Sequence, residues 1–143
     1  MKRVVIDTNF LISFVTDRNK EQQEQAALLF DAAQRSRLAI LCHQNVVAEF
    51  VYVLNRIYKV ESPAINTMLH ELLSTPGIEV INDLDHLKLL DIWPAKCADY
   101  GDAVLLAYCK ATKDVVLATF DQKLIKAAQG IGVKTRNFHP YTT

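Results

Sequence analysis

Five acidic residues stand where an acid is costly or conspicuous. Asp7 ends the apolar run Val4–Ile6 and is followed by Thr8 and Asn9, after which Phe10, Leu11 and Ile12 resume the apolar pattern. Asp121 follows a second apolar run, Val115–Thr119, with Phe120 between. Asp99 and Asp102 open a helical pattern and, three apart, share a helix face. Glu49 interrupts "NVVAEFVYVL", where an unpaired buried carboxylate would cost several kcal/mol. Carboxylates that converge repel one another, and their pKa values rise unless a cation joins them. Oxygen donors without a Cys/His ligand pattern suit Mg2+ or Mn2+ rather than zinc. Such an ion activates water near neutral pH and stabilises charge on a phosphodiester undergoing in-line displacement. Each acid alone has a plainer reading. Asp7 and Asp121 fit as helix caps, Asp99 and Asp102 as first-turn residues worth about 0.3–1 kcal/mol each against the helix dipole, and Glu49 as a solvent-facing side chain. The combination carries the metal reading, because Asp7, Asp102 and Asp121 fall at matching ends of successive elements.

Short β-branched runs alternate with longer helical ones. Strands are expected at Lys2–Ile6, Leu38–Cys42, Gly77–Ile81 and Val115–Thr119, with a last short one at Val133–Asn137. Asp7–Asn9 caps a short helix carrying Phe10, Leu11 and Phe14. "NKEQQEQAALLFDAAQRS" is rich in helix formers, with Ala27, Leu28 and Phe30 expected on its apolar side. "NVVAEFVYVLNRIYK" places Val46, Phe50, Val53 or Leu54, and Ile57 at helical spacing, and its length favours helix despite its β-branched content. "SPAINTMLHELLS" opens with Ser62 as cap and Pro63 in the first turn. Three more helices are expected: "DLDHLKLLDIW", ended by Pro94; "DYGDAVLLAYCKATK", with Lys110 and Lys113 against its dipole; and "DQKLIKAAQ", stopping at Gly130. Strands separated by helices mean βαβ units and a mostly parallel sheet covered on both faces, a three-layer α/β/α sandwich. In such folds ligands gather outside the carboxyl ends of the strands, which is where Asp7 and Asp121 fall.

The bulk numbers agree with one domain over residues 1–143. Half the residues are hydrophobic and 22% are charged, which supplies a packed core and argues against disorder. Lys plus Arg and Asp plus Glu are 16 each, for a formal net charge of +0, so nucleic acid would have to be met by a local patch. Cys42, Cys97 and Cys109 form no CxxC pair, and with no signal-peptide pattern ahead of them they read as reduced thiols of a cytoplasmic protein. Cys42 and Cys109, in apolar runs, are expected in the core. No apolar stretch approaches a membrane span. His43, His70, His86 and His139 make no ligand pattern and read as surface or supporting residues. Trp93 either packs a loop or lies at a dimer surface.

Four segments in order, "VVIDTNFLI", "AEFVYVL", "DAVLLAYC" and "LATFDQKL", resemble the PIN-domain ribonucleases, most closely the VapC toxins of toxin–antitoxin modules. The resemblance covers nearly the whole chain. It implies a parallel sheet between helices, an acidic site for Mg2+ or Mn2+, and metal-dependent endonucleolytic cleavage of RNA that leaves a 5′-phosphate and a 3′-hydroxyl, usually by a homodimer. Carried over by motif, the acids are Asp7, Glu49, Asp102 and Asp121. Asp99 is an added acid that either ligates or only caps. Asn9 and Thr119 match the polar residues that support the site, and Thr8 with Asn9 would orient Asp7 or a water. Lys123 and Lys126, one turn past Asp121, and Arg18 and Lys20, after the first helix, are candidates for substrate phosphates. Phe10, Phe14, Leu28, Leu29 and Phe30 read as core, or as a groove for the amphipathic helix of an antitoxin protein.

Other functions are weighed against this one. A non-catalytic PIN-like RNA-binding or scaffold module would not need all four acids. A metal-dependent phosphatase of the haloacid dehalogenase type wants a second Asp two residues after the first, where this chain has Asn9. A receiver-like phosphoacceptor wants a Lys after a later strand, where this chain has Asp121.

Overall fold

In a computed structural model, which describes residues 2–138, four strands and seven helices alternate along the described chain. They are β1 (Lys2–Ile6), α1 (Thr8–Val15), α2 (Lys20–Gln34), β2 (Leu38–His43), α3 (Gln44–Arg56), α4 (Ser62–Leu73), β3 (Ile78–Ile81), α5 (His86–Ile92), α6 (Tyr100–Ala111), β4 (Val115–Ala118) and α7 (Gln122–Gly130). The sheet runs β3-β2-β1-β4 with every pairing parallel. The chain moves outward from β1 through β2 to β3 and then returns to the other side of β1 for β4. That reversal puts a crevice between the carboxyl ends of β1 and β4, where ligands gather in open α/β sheets.

β1, β2 and β4 are mostly buried, whereas the edge strand β3 is not. Val4, Val5, Ile6, Ile40 and Leu117 are all 1% exposed or less, as continuous apolar runs in a sheet covered on both faces require. Gly77, at φ +86, turns the chain into β3 so close to α2 that an added Cβ would stand 2.4 Å from the Ala33 carbonyl oxygen. The three cysteines are unpaired and buried, Cys42 and Cys109 within the core as expected. Among the described residues no helix is long and apolar enough to cross a membrane.

Four expectations are corrected. The apolar stripe of α2 is Ala26, Leu29, Phe30 and Ala33, whereas Ala27 and Leu28 face outward. Spacing of i, i+3, i+4, i+7 from Ala26 is the continuous stripe, and Leu28 falls off it. In α3 Val46, Phe50 and Leu54 are buried as expected, but Ile57 lies past the last helical residue and is 66% exposed. The cap of α4 is Glu61, without a side-chain bond, so Ser62 is already helical. Val133–Asn137 makes no strand of its own: an isolated parallel bridge joins Thr135 to Leu117, with Leu117 N–H donating to Lys134 O and Arg136 N–H to Leu117 O. Of the residues read as core or as a helix groove, Phe10, Leu29 and Phe30 lie in the core, Phe14 and Phe30 also line a cavity of about 270 Å3 with Met68 and Leu72 of α4, and Leu28 is exposed.

The register of α2 is directly testable. Leu29→Ala should destabilise the protein by about 2–5 kcal/mol through transfer and cavity terms. Leu28→Ala should stay within about 0.5 kcal/mol of wild type. Urea unfolding midpoints for the two variants check this, and equal effects would contradict the observed helix face.

Candidate active site

Asp7 leaves β1 in extended conformation and caps α1: its Oδ1 accepts from Phe10 N–H at 2.8 Å. Its other oxygen, Oδ2, accepts from the Thr119 hydroxyl at 2.5 Å, and that hydroxyl oxygen in turn accepts from Asp121 N–H at 3.0 Å. Thr119 thus ties the end of β1 to the turn after β4. Asp121 caps α7 by accepting from Lys123 N–H. Asp99 caps α6 by accepting from Asp102 N–H at 2.9 Å. The plainer reading of these aspartates is therefore correct, and it does not compete with the chemical one. An ionised carboxylate has about four lone-pair sites, and a cap bond uses one.

The acids also sense one another. Asp102 is pushed up to about 7, first by partial burial and then by Asp99, Asp7, Asp121 and Glu49. Burial, with a smaller push from Asp121, raises Asp7 to about 6 against the lowering effect of Thr119 and the Phe10 N–H. Glu49 is raised by burial and by Asp99, and lowered by a bond from the Thr8 side chain. All five acids therefore share one electrostatic environment. They ring a common space without closing on it, since among the described residues no three acidic, His or Cys side chains meet at metal-ligand spacing. The donor set is all carboxylate oxygen and fits a hard divalent cation such as Mg2+ or Mn2+.

The supports differ in part from expectation. Thr119 bonds Asp7. Thr8 is buried, and its side chain lowers the pKa of Glu49 against the raising effect of burial and Asp99. Asn9 is exposed, and its carbonyl accepts from the Arg18 guanidinium at 2.9 Å. Arg18 also donates twice to Ser13 Oγ, so it straps the loop onto α1. Lys20, Lys123 and Lys126 are exposed at the surface of α2 and α7. His43 is buried, not a surface residue. Its Nδ1 accepts from Asn45 N–H to cap α3, the helix of Glu49, and its Nε2 donates to Asp83 O. His139 lies outside the described residues. Trp93 packs the loop before α6, donating to Ala98 O and meeting the Tyr100 ring edge-on at 5.3 Å.

Two neighbours escape a reading based on acids. The Cys97 thiol is buried beside Asp99, donating to its carbonyl at 3.6 Å, and burial and Asp102 raise its pKa. Gly101 sits where an added Cβ would lie 2.9 Å from Glu49 Oε2 and 3.3 Å from both Asn45 Nδ2 and Asp99 Oδ1. A glycine in the first turn of a helix, next to Asp102, is the available sequence signal, because its helix propensity is poor.

A family model for the PIN domain matches residues 4–130. The chain belongs to the PIN-domain family. PIN domains are typically nucleases, and PIN nucleases generally use divalent metals. The fold is similar to that of PAE2754 from Pyrobaculum aerophilum, at TM-score 0.57 and 20% identity over 94% of this chain and 83% of the other. It is also similar to the PIN domain endonuclease Utp24, at TM-score 0.55 and 17% identity over 96% of this chain and 87% of the other. Comparison with curated protein sequences gives no match.

Two outcomes follow from the electrostatics of this PIN domain. Asp7 and Asp102 are raised from 3.8, so between about pH 4 and pH 7 the folded chain keeps protons that the unfolded chain has released. These two groups therefore make the metal-free protein lose stability as pH rises through that window. Asp102→Asn should unfold at higher urea than wild type at about pH 8 in EDTA, with the gap closing towards about pH 4. A gap independent of pH would contradict the shift. Gly101→Ala should keep or slightly raise metal-free stability, since alanine favours helix by roughly 1 kcal/mol. Its methyl displaces the Glu49 carboxylate, so the thermal shift on adding Mn2+ should shrink relative to wild type. An undiminished shift would show that Glu49 does not need that space.

Proposed function

We propose that this PIN domain is a Mg2+- or Mn2+-dependent endoribonuclease, and that it serves as the toxin of a type II toxin–antitoxin pair, acting in the cytoplasm as a homodimer. The observation that supports the nuclease reading best is the shared electrostatics of Asp7, Glu49, Asp99, Asp102 and Asp121 around the carboxyl ends of β1 and β4. So many carboxylates in one environment are stabilised by a bound cation. When bound, a divalent ion activates water and neutralises charge that builds on a phosphodiester.

The chain's own residues do the positioning. Asp7, Glu49, Asp102 and Asp121 hold the ion, and Asp99 fixes the first turn of α6 beneath Asp102 while adding its own charge. Thr119 sets the rotamer of Asp7, and Thr8 stands beside Glu49 and favours its charged form. Lys123 and Lys126, next to Asp121 on α7, meet the phosphates of the substrate strand. Arg18, already bonded to Asn9 and Ser13, contributes charge from the same edge. For the antitoxin, the Phe14–Phe30 stack, at 4.1 Å between ring centroids, walls a groove that an apolar helix face would fill.

Replacing Asp7 by Asn keeps an oxygen to accept the Phe10 N–H but removes the charge. Asp7→Asn and Asp102→Asn should each lower Mg2+-dependent RNA cleavage about a hundredfold or more, the scale on which losing one electrostatic stabiliser acts, while both proteins unfold cooperatively. Cleavage of a labelled RNA with purified protein, with and without excess EDTA, checks this. Full activity in either variant, or in EDTA, would sink the metal-nuclease reading.

A further inference from the structure

A cavity of about 570 Å3 lies beside the acids rather than over them, against the first turn of α2, the start of α7 and the segment 136–138. Its volume falls in the range of about 300–1,000 Å3 typical of small-molecule sites. Its lining is unusual in kind. Asn19, Gln22, Gln122, Gln129 and Asn137 all bring carboxamides to one space. Among the described residues only Glu21 and Arg136 bring charge. Phe120 and Phe138 supply the aromatic wall, 4.8 Å apart between ring centroids, and Phe120 is stacked at 5.0 Å on the fully buried Phe10.

One carboxamide is oriented by its neighbours. Arg18 can only donate, and it donates to Ser13 Oγ. The Ser13 hydroxyl must therefore donate onward, and its acceptor is Gln22 Oε1 at 2.9 Å. Gln22 is thus held with its oxygen engaged and its two N–H groups left to donate. Asn19 is fixed in the same sense, its Oδ1 accepting from Gln22 N–H at 3.1 Å. The cavity borders the acidic site without including its acids. Thr119 lines it and bonds Asp7, while Phe120 and Gln122 stand on either side of Asp121.

We infer that this cavity receives an unpaired nucleobase of the substrate strand next to the scissile phosphate, with Arg136 meeting an adjoining phosphate. The chemistry of the lining selects that ligand. A nucleobase is flat and neutral and carries donors and acceptors in its plane, so carboxamides read its edge and aromatic rings pack on its face. Asn and Gln pair bidentately with adenine, a role open to Gln129 and Asn137 of the lining, which makes a purine the better fit. A phosphate or sugar alone would call for more cations than Arg136 provides. The placement of the base beside a cleaved bond rests on the nuclease reading above.

The test uses two measurements. Wild-type protein carrying 15N is titrated with the four nucleoside 5′-monophosphates and with ribose 5-phosphate, and the side-chain amide signals are followed. A purine mononucleotide should shift the Gln22, Gln129 and Asn137 amides, ribose 5-phosphate should leave them in place, and Gln129→Ala or Asn137→Ala should weaken binding about tenfold, the order expected for one lost base-edge contact. No shift at these amides, or equal shifts with ribose 5-phosphate, would overturn the base pocket. Mapping cleavage sites in a randomised RNA should then show the purine preference at one position relaxed by about the same factor in Gln129→Ala. An unchanged preference would also overturn it. If the wild-type protein cleaves no RNA, the nuclease reading fails, and the mononucleotide titration still decides the pocket.

Discussion

The bond from Thr119 to Asp7 is the constraint on which the rest of this molecule turns. It joins two segments 112 residues apart in sequence and closes the crevice between β1 and β4 at the point where the sheet reverses its order. A carboxylate 2% exposed at a strand end would be ruinous if left without partners. Here it has two, one from the helix that follows it and one from the turn after the last strand of the sheet. Burial still wins, which is why Asp7 stays above the usual carboxylate range. The fold holds a carboxylate that favours a nearby cation, and it holds it rigidly.

The same economy recurs at α6 and α7. Asp99 and Asp121 each use Oδ1 to accept a backbone N–H in the first helical turn. Three of the five acids are therefore both structural caps and members of the charged ring. The orientation of each carboxylate is fixed by a helix end, with no separate scaffold needed. Asp102 and Glu49 are not caps: Asp102 lies in the first turn of α6, and Glu49 projects from the second turn of α3. Glu49 depends on the missing side chain of Gly101 for room, and Thr8 offsets part of the effect of its burial. His43 serves at one remove by capping that helix.

Much of this was legible in the chain. Apolar runs ended by acids located β1, β4, Asp7 and Asp121, because a buried strand and a polar residue at its end are both local facts. The α/β/α sandwich followed from the alternation of periods. What was not legible depended on partners far away in sequence. Ala27 and Leu28 are as apolar as Ala26 and Leu29, and only packing on β2 and α1 chooses between them. Thr8 lies beside Asp7 in sequence, yet it is the pKa of Glu49 that it lowers. Val133–Asn137 has strand composition, but only Thr135 forms a bridge to β4. The amide-lined cavity draws on residues near 20, near 122 and near 137, none of which forms a motif.

The balance of charge explains why a neutral recognition surface is useful beside such a site. A protein with formal net charge +0 gains little from long-range attraction to a polyanion, and a ring of carboxylates repels phosphate locally until a cation offsets it. Lys123 and Lys126 are few and exposed, and phosphate contacts of that kind are screened by salt and blind to sequence. Carboxamides and phenyl rings are indifferent to both difficulties. On the proposed reading they hold the strand through a base, while the acids and their cation act on the neighbouring bond. Selectivity and chemistry then reside in adjacent but physically different surfaces, joined through the Thr119–Phe120–Asp121 turn.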